Sequence, residues 1–294
     1  MKTTILLAGV TGTLGGLIVE ALVKNGANVR AIVRTGSDKS RLEKLLDQGV
    51  QIVEATYNDH QSLVSACREI ECVVSALAGL REVVVDAQRL LLNAAVEAKV
   101  ERFIPSDFST DFTKLPEAEN RNFDLRKEFK QLLDQADIKP TSIFNGAFAE
   151  MLTYNIPFLD HKNKTVAYWE KADWKVDFTS MKNTAAFTAA AAQDQTSPRY
   201  LRIASFQISA REMAIATGYT LKDMGTLESL DAFNIRERAA HPEGENELYA
   251  KWQQSQYMHS MFSARNELLD NNRYPGINWS AVDDYIKPVK YEKA

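Results

Sequence analysis

Residues Ala8 to Gly16 read AGVTGTLGG, which sets glycines at a regular spacing of three. Gly9, Gly12 and Gly15 follow an apolar run and precede a helical pattern. In such a turn one glycine permits the tight bend, a second lets the backbone approach a pyrophosphate, and a third lets the helix pack on the strand. Because the pattern stands between a strand and a helix, it favours a dinucleotide-binding turn over a bare tight turn.

The start of the predicted helix supplies the chemistry for binding a phosphate. The first N–H groups of a helix have no acceptor within the helix, and the helix dipole favours a negative charge there. We expect the diphosphate of a cofactor to contact the following residues of this turn: Gly9, Thr11, Gly12, Thr13, Leu14 and Gly15.

An arginine ends the second predicted strand, where many dinucleotide-binding folds carry an acidic residue. An acidic side chain at this point hydrogen-bonds the ribose 2′-hydroxyl of NAD, whereas an arginine can hold the 2′-phosphate of NADP. Arg34 stands there, and Lys39 adds a second positive charge in the following loop. The pair predicts NADP(H) as the cofactor, and the alternative is a solvated arginine in a basic loop.

Short β-rich runs alternate with longer helical patterns through the first half of the chain. Such alternation predicts an α/β fold with a Rossmann-type, doubly wound parallel sheet. The predicted strands are Thr3–Ala8, Asn28–Val33, Gln51–Glu54, Cys72–Ser75, Arg102–Ile104 and Thr141–Phe144. The predicted helices are Thr13–Lys24, Ser40–Asp47, Ser62–Cys67, Glu82–Ala98 and Asn122–Gln135.

The second half of the chain has a looser pattern and predicts a smaller α+β lobe that binds the substrate. We expect an NADP-binding domain over residues 1–150 and this lobe over residues 151–294, with elements that can interleave. The predicted strands are Thr165–Tyr168, Lys175–Phe178 and Tyr200–Ile203. The predicted helices are Met181–Ala192, Ser209–Thr217, Leu227–Arg238 and Glu245–Asp270.

Composition narrows the classes of function. The chain has 294 residues, 45% of them hydrophobic, and a net charge of −4, which disfavours binding to nucleic acid or to an anionic membrane. No stretch approaches the ~20 apolar residues of a spanning helix, and the apolar run at the N-terminus is too short for a signal peptide. Four histidines without a metal-ligand spacing predict no metal site.

Two cysteines, Cys67 and Cys72, have a spacing that fits neither a redox pair nor a usual zinc pair. We expect both to be buried or half-buried free thiols, which fits a reducing compartment such as the cytoplasm.

Three further motifs join the glycine turn and Arg34 in one resemblance. They are RFIPSDF at Arg102–Phe108, FNGAF at Phe144–Phe148 and YPGINW at Tyr274–Trp279. Together they resemble the NmrA-like, isoflavone-reductase-like branch of the atypical short-chain dehydrogenases/reductases. The resemblance covers nearly the whole chain and is most specific in the first 150 residues.

The resemblance implies a Rossmann-type lobe that binds NADPH and a cleft between it and the smaller lobe. It implies that the segment after the fourth strand, with Ala76 and Leu77, runs alongside the cofactor. It also implies that Ser106 lies near the nicotinamide end, and we expect Asn145 to contact the cofactor as well. Strand ends and core packing are the structural alternatives for these positions.

The catalytic group is the point at which this chain departs from its resemblance. Short-chain dehydrogenases use Tyr-x-x-x-Lys, and no tyrosine in this chain has a lysine four residues later. The isoflavone-reductase branch instead uses a lysine on the helix before the sixth strand, and that position falls on Arg126, beside Lys127. Three alternatives stay open: Lys127 acts, Arg126 replaces the lysine with altered chemistry, or the catalytic group is absent.

The residues and the resemblance predict an NADPH-dependent reductase of a small aromatic or quinone-like carbonyl or enone. A rival is a non-catalytic regulator that senses NADP(H) and acts through a protein partner. The missing Tyr-x-x-x-Lys motif argues against a sugar-nucleotide epimerase. A homodimer is an open expectation.

Overall fold

A computed structural model describes residues 3–286 of the chain, and its largest feature is a six-stranded parallel sheet of order β3-β2-β1-β4-β5-β6. The strands of this sheet are β1 (Thr4–Ala8), β2 (Asn28–Val33), β3 (Gln51–Glu54), β4 (Cys72–Ser75), β5 (Arg102–Ile104) and β6 (Lys139–Pro140). The helices between them are α1 (Thr13–Lys24), α2 (Lys39–Asp47), α3 (His60–Cys67), α4 (Gln88–Glu97) and α5 (Arg121–Gln135). The strand order reverses between β1 and β4, which is where ligands bind in sheets of this type.

The rest of the chain forms three small sheets and five helices in the described range. The strands are β7 (Ser142–Phe144), β8 (Ala147–Phe148), β9 (Leu159–Asp160), β10 (Thr165–Tyr168), β11 (Lys175–Thr179), β12 (Tyr200–Arg202), β13 (Phe206–Ser209) and β14 (Thr220–Asp223). The helices are α6 (Met181–Gln193), α7 (Ala210–Thr217), α8 (Leu227–Ala240), α9 (Lys251–Ser263) and α10 (Asp283–Ile286). The strand orders are β14-β10-β9, β13-β11-β8 and β12-β7. The predicted α/β fold with a smaller mixed lobe is confirmed.

Three element predictions need correction. The predicted sixth strand divides, because residues 139–140 pair with β5 whereas residues 142–144 pair with β12. The helix predicted from residue 82 begins with six residues of π-helix before α4. The helix predicted over residues 245–270 occupies only the thirteen residues of α9, preceded by a 3₁₀ turn over residues 242–246.

Local sequence explains why the crossover elements begin where they do. Strand β1 reads TILLA, and its last four residues are buried, as expected for a central parallel strand covered on both faces. Asp38 and Asp59 cap α2 and α3 by accepting hydrogen bonds from the N–H groups of Arg41 and Ser62. These caps fix where the chain leaves each strand and enters the next helix.

Two apolar layers cover the central sheet. Helices α1 and α6 pack against one face, and α3, α4 and α5 cover the other. Cys67 and Cys72 belong to these layers as buried free thiols, as predicted, and burial raises the pKa of each to about 12. A separate aromatic-rich cluster fills the smaller lobe around Phe158, Phe178 and Phe262.

Among residues 3–286, no helix combines the length and the apolarity that crossing a bilayer requires.

Candidate functional site

The turn between β1 and α1 is held by two close backbone approaches. Gly9 has φ +88°, and a Cβ on it would lie 2.5 Å from the carbonyl oxygen of Ala76. A Cβ on Gly15 would lie 2.1 Å from the carbonyl oxygen of Gly9. Both glycines are therefore required by the fold itself, because any side chain would collide with the backbone of the turn or of the segment that follows β4.

Gly12 is different, because the protein around it leaves room for a side chain. Its φ is −82°, which any residue adopts, and a Cβ on it would approach only the carbonyl oxygen of Gly9, at 3.4 Å. It occupies the N-cap of α1, yet no side chain caps that helix. The N-cap position normally favours Ser, Thr, Asp or Asn, so a glycine here leaves the helix start open to an external group.

The helix start carries the donors that such a group would use. The first hydrogen bond within α1 runs from the N–H of Gly16 to the carbonyl of Gly12, at 2.9 Å. The N–H groups of Thr13, Leu14 and Gly15 precede it and have no acceptor within the helix. The structure thus brings the predicted contact residues of this turn together at one uncapped helix terminus, a geometry that favours an anion.

The loop after β2 approaches this terminus. Arg34 is exposed, and its carbonyl oxygen accepts hydrogen bonds from Ser37 N at 3.1 Å and Ser37 Oγ at 2.6 Å, which fixes the turn. Lys39 begins α2 and is also exposed. Arg41, which the sequence analysis missed, donates from Nη1 to the carbonyl oxygen of Thr11 at 2.7 Å. This contact joins α2 to the glycine turn.

The segments after β4 and β5 lie side by side next to the glycine turn. The N–H of Ala76 donates to the carbonyl of Ala8 at 2.9 Å, and Ser106 Oγ donates to the carbonyl of Leu77 at 2.7 Å. Gln88, a second residue that the sequence analysis missed, is fully buried and accepts a hydrogen bond from Ser106 N at 3.0 Å. The predicted residues Ala76, Leu77 and Ser106 therefore share one hydrogen-bonded wall.

Arg126 and Lys127 point to different parts of the molecule. Arg126 Nε donates to the carbonyl oxygen of Ser106 at 3.3 Å, and its Nη1 donates to the carbonyl of Asn122 at 3.0 Å. Lys127 Nζ instead donates to the carbonyl of Pro116 at 2.5 Å. Only the arginine of this pair adjoins the Ser106 segment.

A buried acid follows Ser106. Asp107 is 1% exposed, and its Oδ2 accepts a hydrogen bond from Ser142 Oγ at 2.7 Å. Burial raises the pKa of the Asp107 carboxyl, although the hydrogen bond from Ser142 and the charges of Arg126 and Arg199 oppose this rise. Its Oδ1 has no hydrogen-bond partner among residues 3–286.

Asn145 lies at the start of the second half of the chain with its amide unused. The residue is fully buried, and both polar atoms of its side chain lack a partner within the described residues. Its backbone is held on both sides, because its N–H donates to Ser109 O at 3.0 Å and its carbonyl accepts from Thr179 Oγ1 at 2.5 Å. A buried amide without a partner costs about 1–3 kcal/mol, so Asn145 has hydrogen-bonding capacity that the described residues do not satisfy.

The parallel sheet, its reversal of strand order and the glycine turn define a Rossmann-type α/β protein. The chain belongs to the NmrA-like family, which it matches over residues 1–218. The resemblance to the NmrA-like and isoflavone-reductase-like reductases is therefore confirmed.

Plant reductases are among the relatives in sequence. Pinoresinol reductase 2 of Arabidopsis thaliana is 32% identical over 208 residues, and this alignment spans 66% of the chain and 65% of that protein. A bifunctional pinoresinol-lariciresinol reductase of Linum perenne is 28% identical over 309 residues, spanning 97% of the chain and 98% of the relative.

Solved structures agree with this fold over nearly the whole chain. A structure described as AtPrR2 with NADP+ and (+)-pinoresinol matches with a TM-score of 0.75 and 25% identity, covering 97% of this chain and 98% of that one. A crystal structure of isoflavone reductase matches with a TM-score of 0.77 and 22% identity, covering 97% and 99%, and supports the fold alone.

Proposed function

We propose that the protein is an NADPH-dependent oxidoreductase of the cytoplasm that reduces a small aromatic or quinone-like carbonyl or enone. The observation that carries the proposal is Gly12, a glycine that the fold does not need, at the uncapped start of α1. The relatives named as pinoresinol reductases support an aromatic substrate. The two buried thiols are consistent with a reducing compartment.

The residues of the glycine turn fit a dinucleotide. A diphosphate beside Gly12 would accept hydrogen bonds from the N–H groups of Thr13, Leu14 and Gly15, and it would supply the charge that the helix terminus favours. The guanidinium of Arg34 would hold the 2′-phosphate through charge-assisted hydrogen bonds, with Lys39 as a second cation. When bound, NADPH supplies the hydride.

Arg126 is the residue that would act on the substrate oxygen. An arginine stays protonated at neutral pH, so it is a poor proton donor but an effective hydrogen-bond donor to developing negative charge. Its contact with the carbonyl of Ser106 holds the guanidinium beside the segment expected at the nicotinamide end. Lys127 is engaged with Pro116 and would not take this role.

The arginine also favours a second candidate function. The resemblance implies a lysine at position 126, and its replacement fits a regulator that binds NADP(H), catalyses nothing and changes its affinity for a protein partner. Such a regulator must bind the cofactor differently in two conformations. Pull-down from a cell extract with and without NADPH separates this function from the reductase, since only the regulator gains or loses a partner with the cofactor.

The first test compares cofactor affinities by calorimetry. Replacing Arg34 with alanine should weaken NADPH binding by about 10- to 100-fold, because charge-assisted hydrogen bonds are lost, and leave NADH binding nearly unchanged. The matched control is Arg89→Ala, an exposed arginine of α4 outside the proposed site. Equal losses for both dinucleotides, or no loss for either, would contradict the role of Arg34.

The second test is turnover. NADPH oxidation should follow addition of a member of a panel of aromatic ketones, enones and quinones. Tight NADPH binding without turnover on any member would remove the reductase and leave the regulator.

A further inference from the structure

A cavity of about 380 Å³ lies between α8, α9 and the segment that precedes α5. Its lining consists of Ala118, Glu119, Asp231, Asn234, Ile235, Arg238, Ala239, Glu245 and Gln256. None of these residues belongs to the proposed cofactor site, and none contacts Arg126 through a hydrogen bond. Its volume suits a small molecule rather than a few waters.

The wall of this cavity contains buried polar groups without partners. Asn234 is 2% exposed, and both polar atoms of its side chain lack a hydrogen bond within the described residues. Glu119 is 6% exposed, and its Oε2 likewise has no partner there. Leaving such groups unpaired lowers the stability of the protein. The atoms without partners are two acceptors, Glu119 Oε2 and Asn234 Oδ1, and one donor, the amide nitrogen of Asn234.

The other oxygen of Glu119 is firmly held. Its Oε1 accepts a hydrogen bond from Ser260 Oγ at 3.0 Å, and His259 Nδ1 lies 3.0 Å from it. The carboxylate therefore has a fixed position, with Oε2 as its unused face. A fixed acceptor loses little entropy when a ligand binds, which favours recognition.

The charge of the lining is negative. Arg238 Nε lies 2.5 Å from Glu245 Oε1, so these two residues neutralise each other. The remaining charged side chains of the lining are Glu119 and Asp231, which are both acidic. Asp231 precedes Asn234 by three residues and so shares its face of α8. A cation is favoured over a neutral or anionic ligand of the same shape.

We propose that this cavity binds a small organic ammonium ion that carries an adjacent hydroxyl or carbonyl oxygen and an apolar body. The ammonium group donates to Glu119 Oε2 and Asn234 Oδ1, and Asn234 Nδ2 donates to the neighbouring oxygen of the ligand. The apolar body packs against Ile235 and Ala239, which line the same cavity. This site is separate from the proposed cofactor site, because the two share no residue.

Calorimetry with three matched probes tests the chemistry on the full chain at pH 7. The probes are 2-amino-1-phenylethanol, which is a cation, neutral 1-phenyl-1,2-ethanediol and anionic mandelate. We expect the cation to bind at least about tenfold more tightly than the diol, and mandelate to bind most weakly. Equal affinities for the three probes, or no heat from the cation up to about 10 mM, would overturn the proposal.

Two variants test the residues independently. Glu119→Gln and Asn234→Leu should each weaken binding of the cation by about tenfold or more, because the first removes the negative charge that the cation faces and the second removes a buried acceptor. Asn234→Leu also removes an unpartnered amide, so its thermal unfolding should be unchanged or occur at a higher temperature. Glu228→Gln, an exposed glutamate in the first turn of α8, is the matched control and should bind as the unaltered chain does. Unchanged affinity in both test variants would sink the site.

Discussion

At the scale of single residues, the glycine turn combines steric and functional requirements within seven positions. Gly9 and Gly15 are required by the protein itself. A Cβ on either would lie much closer to a backbone oxygen than van der Waals contact allows. A Cβ on Gly12 would make no such close contact with the protein. A residue with no structural reason to be glycine, at a helix start that lacks a cap, fits our proposal that a bound diphosphate approaches this turn.

This difference predicts opposite outcomes for two alanine substitutions. Gly15→Ala should lower the free energy of unfolding by about 1–3 kcal/mol, since its Cβ meets backbone that cannot move freely. Gly12→Ala should change that free energy by less than about 1 kcal/mol but weaken NADPH binding by about tenfold or more. Urea unfolding and calorimetry measure the two quantities. Loss of stability without loss of affinity in Gly12→Ala would show that this glycine serves the fold.

Two residues of the candidate site were beyond the reach of the sequence. Arg41 contacts Thr11 across 30 positions, and Gln88 contacts Ser106 across 18. Arg34 was identifiable because its place at the end of a strand fixes where it lies. The contacts of Arg41 and Gln88 depend instead on how α2 and α4 are rotated about their axes, and no local pattern records that rotation.

At the scale of elements, α5 separates two adjacent basic residues. Successive residues on a helix are turned by about 100°, so Arg126 and Lys127 cannot serve the same site. The structure directs the arginine to the Ser106 carbonyl and the lysine to the Pro116 carbonyl. The helix thereby supports the alternative in which Arg126 acts in place of the implied lysine.

Kinetics can test this assignment of α5. Arg126→Ala should reduce kcat by about 10²–10³, because a donor to developing negative charge is lost, whereas Lys127→Ala should leave kcat nearly unchanged. Arg126→Lys keeps a cation at the position and should lose less than the alanine variant. The measurement is steady-state NADPH oxidation with the best substrate of the carbonyl and quinone panel. A larger loss in Lys127→Ala than in Arg126→Ala would reverse the assignment.

Elements were predictable where one local property determined them. Strand β4 has the predicted bounds, because its four residues are all buried, as expected for a central parallel strand covered on both faces. The division of the predicted sixth strand into β6 and β7 was not predictable. It is set by the pairing of β7 with β12, which lies almost sixty residues later. The π-helix ahead of α4 has only six residues, which are too few for its wider turn to give a side-chain pattern distinct from that of an α-helix.

At the scale of the whole molecule, the second half of the chain completes the first. Helix α6 packs on the same face of the central sheet as α1, and buried Arg102 of β5 donates to the carbonyls of Ala191 and Ala192 at 2.8 and 3.0 Å. The division at residue 150 stays a prediction about domains, but the packing of α6 means that the halves share one apolar layer. Cutting between them would expose that layer.

One carboxylate just after α6 joins this helix to the segment at residues 273–274. Asp194 Oδ2 accepts hydrogen bonds from Arg273 Nη2 and from the hydroxyl of Tyr274, both at 2.8 Å. The ring of Tyr274 packs edge-on against Phe187 of α6, with centroids 4.9 Å apart. Burial alone would raise the pKa of Asp194, but hydrogen bonds from Thr196, Arg273 and Tyr274 outweigh it and hold this pKa well below its ordinary value.

A carboxyl whose pKa is lowered by folding stabilises the folded state above its unfolded pKa of about 4, and this contribution is lost as the pH falls through the folded value. Asp194→Asn should therefore lower the free energy of unfolding by about 1–3 kcal/mol at pH 7, with a smaller difference from the unaltered chain at pH 3. Urea unfolding at the two pH values measures both differences. The matched control is Asp173→Asn, whose carboxyl is 72% exposed and pairs with Arg211 at the surface, and we expect it to leave the free energy of unfolding nearly unchanged. A difference for Asp194→Asn that stayed constant from pH 7 to pH 3 would mean that the ionised carboxylate does not hold the two segments together, because only a titrating group can make this difference depend on pH.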